Sequence, residues 1–180
     1  PCEAIHEGRL VEMLPLEGLE SFSLDGVDYE AFNTSGGLGT LCETLDGKVD
    51  RLDYKTVRYP GHRDVMKMLL EDLRLRDRRD LLKDVLEQSV PITHQDVVLI
   101  FVTVSGWRDA RLTQETYAKK IYAHEVEGRL MSAIQLTTAS GICTMVDLHA
   151  TGHLPQSGFV RQEDAALAPF LANRFGRHYA

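Results

Sequence analysis

The chain has 180 residues, 43% of them hydrophobic, enough to bury a sizeable core, and its 27 acidic against 20 basic residues leave a net charge of −7. That balance excludes the concentrated basic face of a nucleic-acid binder, since the densest basic run, 74–79, is interrupted by Asp77 and flanked by Asp72 and Asp80. The longest apolar run, VVLIFVTV at 97–104, is too short to span a bilayer and suits a buried strand, so no membrane partner is expected.

Residues 1–20 read as an irregular lead-in with one short strand at 8–13. The chain opens on Pro1 without a methionine, inside what reads as a loop, and is expected to be a piece of a longer protein. SFSLDGVDYEAFN at 21–33 is two alternating segments around Asp25-Gly26, the dipeptide that favours a hairpin turn. A glycine-rich loop, NTSGGLGTL at 33–41, follows, then a short helix at 40–45 closed by Gly47.

DYKTVRY at 53–59 is a strand candidate ended by Pro60-Gly61. From His62 the apolar positions Val65, Met66, Leu69, Leu70 and Leu73 recur at helical spacing. A second helix at 77–88 carries Leu81, Leu82, Val85 and Leu86 on one face. Segment 96–107 reads as a central strand, with 112–124 as its antiparallel neighbour across SGWRDAR. The longest helix candidate, 130–149, places Leu130, Ile134, Thr137, Gly141, Met145 and Leu148 in register, and its small-residue stretch TTASG admits the close approach of a backbone or a ligand. A loop, GHLPQSGFV, leads to a last short helix at 164–174, whose amphipathic stretch is expected to pack on its own domain. Strands and helices do not alternate as βαβ units, so the expected fold class is α+β, with a mixed or mainly antiparallel sheet and helices on one face.

The glycine loop invites comparison with the dinucleotide fingerprint G-x-G-x-x-G. Gly37 and Gly39 meet the first two positions, but Cys42 stands at the third, the next strand candidate offers no acid for a ribose, and the preceding strand carries Asp28 and Glu30. A loop of N–H groups and hydroxyls suits a carboxylate as well as a phosphate, and a plain turn would use one or two of the glycines.

RYPGH at 58–62 sets an arginine, a phenol and an imidazole around a tight turn that opens a helix. An arginine fork binds carboxylates, and an imidazole near a helix N-terminus tends toward its neutral form; an exposed histidine on an ordinary turn is the competing reading. Histidines 94, 124, 149, 153 and 178 have no metal-ligand spacing, so no metal site is expected from the sequence. Ser35 and Ser105 lie outside any G-x-S-x-G motif. Cys2, Cys42 and Cys143 are far apart and odd in number, which fits a reduced, cytoplasmic setting.

In chain order, PCEAI at 1–5, YEAFNTSGGLGTL at 29–41, YKTVRYPGH at 54–62 and GHLPQSGFVRQE at 152–163 resemble the C-terminal part of bacterial saccharopine dehydrogenase-like oxidoreductases, whose relatives include saccharopine reductase and lysine 6-dehydrogenase. The resemblance runs through nearly the whole chain. It implies that residues 1–180 are a substrate-binding and dimerisation domain resembling the C-terminal domain of glyceraldehyde-3-phosphate dehydrogenase, with an N-terminal Rossmann domain lying outside this chain. It further implies hydride transfer at the C–N bond of a lysine-derived amino acid, with NAD or NADP bound mainly by that other domain, no dehydrogenase activity in the isolated chain, and a homodimer. Matched by position, Asn33, Thr34, Ser35, Gly36 and Gly37 are expected to hold a substrate carboxylate and Arg58 to pair with a carboxylate. Tyr59 or His62 would then assist proton transfer at the amine. A non-catalytic oligomerisation or ligand-sensing module of the same fold is the alternative.

Overall fold

The computed structural model describes residues 2–34 and 37–180. The fold is α+β, with several small antiparallel sheets and five α-helices among the described residues, and the chain divides into two compact units, Pro1–Pro91 and Ile92–Ala180. No helix among the described residues is long and apolar enough to cross a membrane.

The first unit begins with a hairpin, β1 (Cys2–His6) and β2 (Arg9–Met13), closed by Glu7 and Gly8 at φ 50° and 72°. The alternation predicts only its second strand. β1 is easily missed because its turn starts with a glutamate, a residue with no turn preference, yet Ala4 and Ile5 are core residues. Ile5 exchanges backbone bonds with Leu52 at 2.8 and 3.0 Å, which ties the hairpin to the later chain. β3 (Glu20–Leu24), β4 (Val27–Phe32) and β5 (Thr56–Arg58) form a three-stranded sheet in that order. Its first turn is the expected Asp25-Gly26 pair, at φ 53° and 78°. The expected strand 53–59 shortens to the three residues of β5.

Helix α1 (Leu41–Leu45) follows Thr40 and buries Cys42. Helix α2 (His62–Lys67) runs into a single π turn, Met68–Asp72, marked by the bond from Leu73 N to Met68 O at 2.9 Å. The extra residue per turn rotates the helix face. Met66, Leu69 and Leu70 are therefore half-buried while Val65 and Leu73, placed on the same stripe by a regular helical period, are exposed. Helix α3 (Arg79–Ser89) closes the unit, two residues later at its start than expected.

The second unit is built on a long ribbon, β6 (Val97–Arg108) paired over twelve residues with β7 (Arg111–Tyr122). Its turn residues, Asp109 and Ala110, stand at φ 50° and 58°. The apolar run 97–104 is not the buried central strand that its composition predicts. β7 is its single sheet neighbour among the described residues, and Phe101, Val102 and Val104 are exposed. A short hairpin, β8 (His124–Val126) and β9 (Arg129–Met131), precedes the long helix α4 (Ala133–Ala150).

Helix α4 starts three residues later than the expected 130, because Ser132 and Gln135 form a reciprocal capping box. Asp96 strengthens the same end, accepting the N–H groups of Ala133 and Ile134 at 2.9 and 3.1 Å. Leu130 consequently lies in β9, and Ile134 is 60% exposed. The buried face is instead Ala133, Leu136, Thr137, Ser140, Thr144 and Leu148. The hydroxyls of Thr137 and Thr144 are satisfied by bonds to the carbonyls four residues back, at 2.9 and 2.7 Å.

The small residues of this helix receive the chain's own tail. Helix α5 (Leu167–Ala172) and the 3-10 turn Gly176–Tyr179 dock on it, replacing the single helix expected at 164–174. A Cβ on Gly176 would lie 1.8 Å from Phe170 O and 3.3 Å from Thr144 Cγ2, so only glycine fits there. Tyr179 donates its hydroxyl proton to Thr137 O at 2.6 Å, and Asp147 accepts from Asn173 Nδ2 and Arg174 Nη2, both at 2.7 Å. The amphipathic tail thus packs on its own unit, as its pattern predicts.

Candidate functional site

Strand alternation sorts the candidate residues of the first unit onto two faces. Antiparallel register sets Glu30 opposite Arg58 and Phe32 opposite Thr56, so these four share one side of the β4–β5 pair. The Pro60-Gly61 turn then folds back over that side. Gly61, at φ 95°, and Arg63 donate their N–H groups to Glu30 Oε2 and Oε1 at 2.9 and 2.6 Å. Glu30 is 6% exposed and fastens the RYPGH turn to the sheet. Arg63 adds a bond from Nε to Leu16 O at 2.7 Å, and Lys67 pairs with Glu17 at 2.5 Å. Sequence pattern misses Glu30 as a site residue because a glutamate in a strand reads as solvent-facing; its inward position in the alternation is the signal that could have revealed it.

His62 lies with its ring stacked on Phe32, centroids 6.2 Å apart and planes at 16°. Although His62 is exposed at the residue level, partial desolvation of its ring, then the Arg58 guanidinium, hold the imidazole below its usual pKa, while Glu30 pulls the other way. Arg58 is exposed, donating through Nη1 to the Val57 carbonyl at 2.8 Å, and forms no ion pair among the described residues. Its remaining donors are open to a planar anion. Tyr59 goes to the opposite side: its ring stacks on Tyr29 at 5.7 Å, and Tyr29 stacks on Phe22 at 5.6 Å. Of the two proton-transfer candidates, the turn therefore brings His62 to the Arg58 face and sends Tyr59 away from it.

The glycine loop leaves the end of β4 beside this face. Asn33 is pinned by its backbone, accepting from Leu16 N at 2.8 Å and donating to Glu17 O at 2.9 Å. Its side chain is 2% exposed, and among the described residues its Nδ2 is a buried donor with no hydrogen-bond partner. Thr34 shares a hydrogen bond with Thr56 Oγ1 at 2.9 Å, and its carbonyl accepts from Cys2 Sγ at 2.7 Å. Ser35 and Gly36 lie outside the described residues. A Cβ on Gly37 would fall 1.8 Å from the Tyr54 ring, so this glycine is where an aromatic face closes on the backbone. The helix after the loop, α1, has five residues.

The other residues of interest are scattered. Ser105 pairs with Gln114 in the exposed part of the β6–β7 ribbon. The cysteines are free, Cys2 and Cys42 buried and Cys143 half-buried, and burial pushes the Cys42 thiol up, with Glu3 adding to the effect. No group of three or more His, Cys, Asp or Glu side chains is arranged around a metal-sized point among the described residues. Compared with models of known protein families, the chain matches none.

Proposed function

We propose that residues 1–180 are the substrate-binding and dimerisation domain of an NAD(P)-dependent oxidoreductase. Its substrate would be a lysine-derived amino acid, saccharopine or lysine, oxidised or reduced at a C–N bond, as in the saccharopine dehydrogenase-like oxidoreductases that the four sequence motifs resemble. The layout would be that of the glyceraldehyde-3-phosphate dehydrogenase C-terminal domain. The observation that carries this reading is the Arg58–His62 face: a guanidinium with unengaged donors beside an imidazole biased to its neutral form, on a turn whose Gly61 and Arg63 N–H groups are held by buried Glu30.

The roles follow from the chemistry of each group. Arg58 offers a fork to a substrate carboxylate. Neutral His62 takes the proton that leaves the amine as the carbon–nitrogen bond becomes double, and returns it in the reverse direction. Asn33 and Thr34, with the loop of Ser35, Gly36 and Gly37, would supply donors for a substrate carboxylate. Tyr59, on the Tyr29 side, is the less favoured proton carrier. The cofactor, NAD or NADP, belongs to a Rossmann domain of the longer protein. The isolated chain then has no dehydrogenase activity.

The deciding experiment is an assay of the full-length protein for reduction of NAD+ and NADP+ with saccharopine and with lysine. Arg58→Ala and His62→Ala should each lower kcat/KM by a factor of about a hundred, the usual size for a lost general base or charge-assisted bond. Unchanged kcat/KM in both variants would remove the assigned roles, and no turnover of either substrate would remove the reading. A non-catalytic oligomerisation module is the second reading, favoured by the exposed apolar ribbon β6–β7. A strand–GxGxxG–helix upstream of Pro1 in the natural gene would exclude it.

A further inference from the structure

Two histidines 54 positions apart meet in the second unit. His124 opens β8 and His178 lies in the 3-10 turn Gly176–Tyr179, and their facing nitrogens, Nε2 and Nδ1, share a hydrogen bond at 3.2 Å, whose proton a bound metal ion would displace. The scaffold sets this distance independently of the pair. Tyr179 is bonded to Thr137 O, Tyr117 donates its hydroxyl to Tyr179 O at 2.8 Å, and Gly176 is wedged between Phe170 and Thr144. The C-terminal turn is therefore held against β7 and α4 whatever the imidazoles do.

The geometry matches the bite of a metal ion. Zinc binds imidazole nitrogen at about 2.0–2.1 Å in tetrahedral sites, which places two ligand nitrogens about 3.3–3.4 Å apart. The ring centroids are 5.1 Å apart, less than two rings aimed straight at each other would have at this nitrogen separation, so the ring axes are tilted off the nitrogen–nitrogen line. Lone pairs meeting on one ion need such a tilt. His124 Nδ1 is 3.3 Å from the Tyr122 carbonyl, which can accept a proton there and leave Nε2 with its lone pair, the outer-sphere arrangement common to metal-binding histidines. Arg177 is the chain neighbour of His178 and Lys119 bonds the Ala180 carbonyl, two cations on this side that a bound ion must tolerate.

We propose that His124 Nε2 and His178 Nδ1 form a two-imidazole site for a divalent transition-metal ion, with its other positions open to water or to an external ligand. Imidazole selects Zn2+, Cu2+ and Ni2+ over Ca2+ and Mg2+. A bound ion would clip the C-terminal turn to β8 and stabilise the folded chain by mass action. The site lies outside the Arg58–His62 face, so its fate is separate from that of the oxidoreductase reading.

Zn2+ is the probe. Calorimetric titration of the metal-free protein should give one ion per chain, with binding lost in His124→Ala and in His178→Ala and kept in His149→Ala. Zn2+ should also raise the Tm of the parent protein and leave that of the two variants unmoved. His178→Gln, which preserves bulk, serves if His178→Ala unfolds. Absence of zinc uptake by the parent protein, or uptake unchanged in the His124 and His178 variants, overturns the proposal.

Discussion

Ala110 occupies the left-handed backbone region at φ 58°, in a turn where three sister turns use glycine. Gly8, Gly26 and Gly128 hold the equivalent second position in the hairpins β1–β2, β3–β4 and β8–β9. A Cβ costs about 1 kcal/mol in this conformation, so Ala110→Gly should raise unfolding stability by about that amount, read as a higher urea midpoint. A fall would mean that the glycine's greater unfolded-state freedom outweighs the relief. The same scale holds the pH response. Partial desolvation and the Arg58 charge lower the His62 pKa, so the unfolded imidazole gains its proton at a higher pH than the folded one. Its contribution is complete above about pH 6.5 and is lost as the pH falls from there through the lowered folded value. The carboxyls of Glu17, Asp96, Asp147 and Asp164, all held below their usual values, lose theirs only at more acidic pH. Urea midpoints taken from pH 8 to pH 5 should therefore decline in the parent and decline less in His62→Gln; parallel declines would clear His62 of the effect.

At the scale of elements, helix ends decide what sequence periodicity leaves open. Burial pushes the Asp96 carboxyl up, but its bonds from Ala133 and Ile134 outweigh that and hold it below the ordinary carboxylate value. Asp96→Ala should lower stability by about 1 kcal/mol, the common size of a lost N-terminal cap, measured by chemical denaturation, and a change near zero would assign the whole cap to Ser132. Where turn chemistry was explicit, as in Asp25-Gly26, the element was legible from the residues alone. It was less so at β1, whose turn begins with Glu7, and at α2, whose π turn shifts the apolar stripe in a way that a fixed period of 3.6 does not anticipate. The Ser132–Gln135 capping box was readable and would have placed the start of α4 correctly. The candidate site was legible as a set of residue types, Arg58, Tyr59 and His62. Which face each takes depends on the β4–β5 register and on Glu30, both long-range facts that spacing does not encode.

The whole molecule carries apolar surface that a lone chain leaves in water. Trp107 is 76% exposed, Leu112, its partner across the ribbon, is 69%, and Ile142 and Val146 on α4 are also open. A two-stranded ribbon with apolar residues on both faces gains little stability alone, and covering it with a second copy removes the cost. Sedimentation of the purified chain should give a dimer that Trp107→Glu converts to a monomer; a parent protein that stays monomeric at all concentrations would refute this surface as the dimer contact.

The four two-residue turns have a further effect on how the chain reaches its fold. Each joins strands adjacent in sequence, and among the described residues the remaining strand pairing, β4 with β5, also stays inside the first unit. Contacts between chain neighbours require little loop closure before they are rewarded, which lowers contact order and speeds folding. Both sheets of the first unit are thus complete in sequence before the ribbon of the second has been synthesised, so the first unit can fold while the second is still being made.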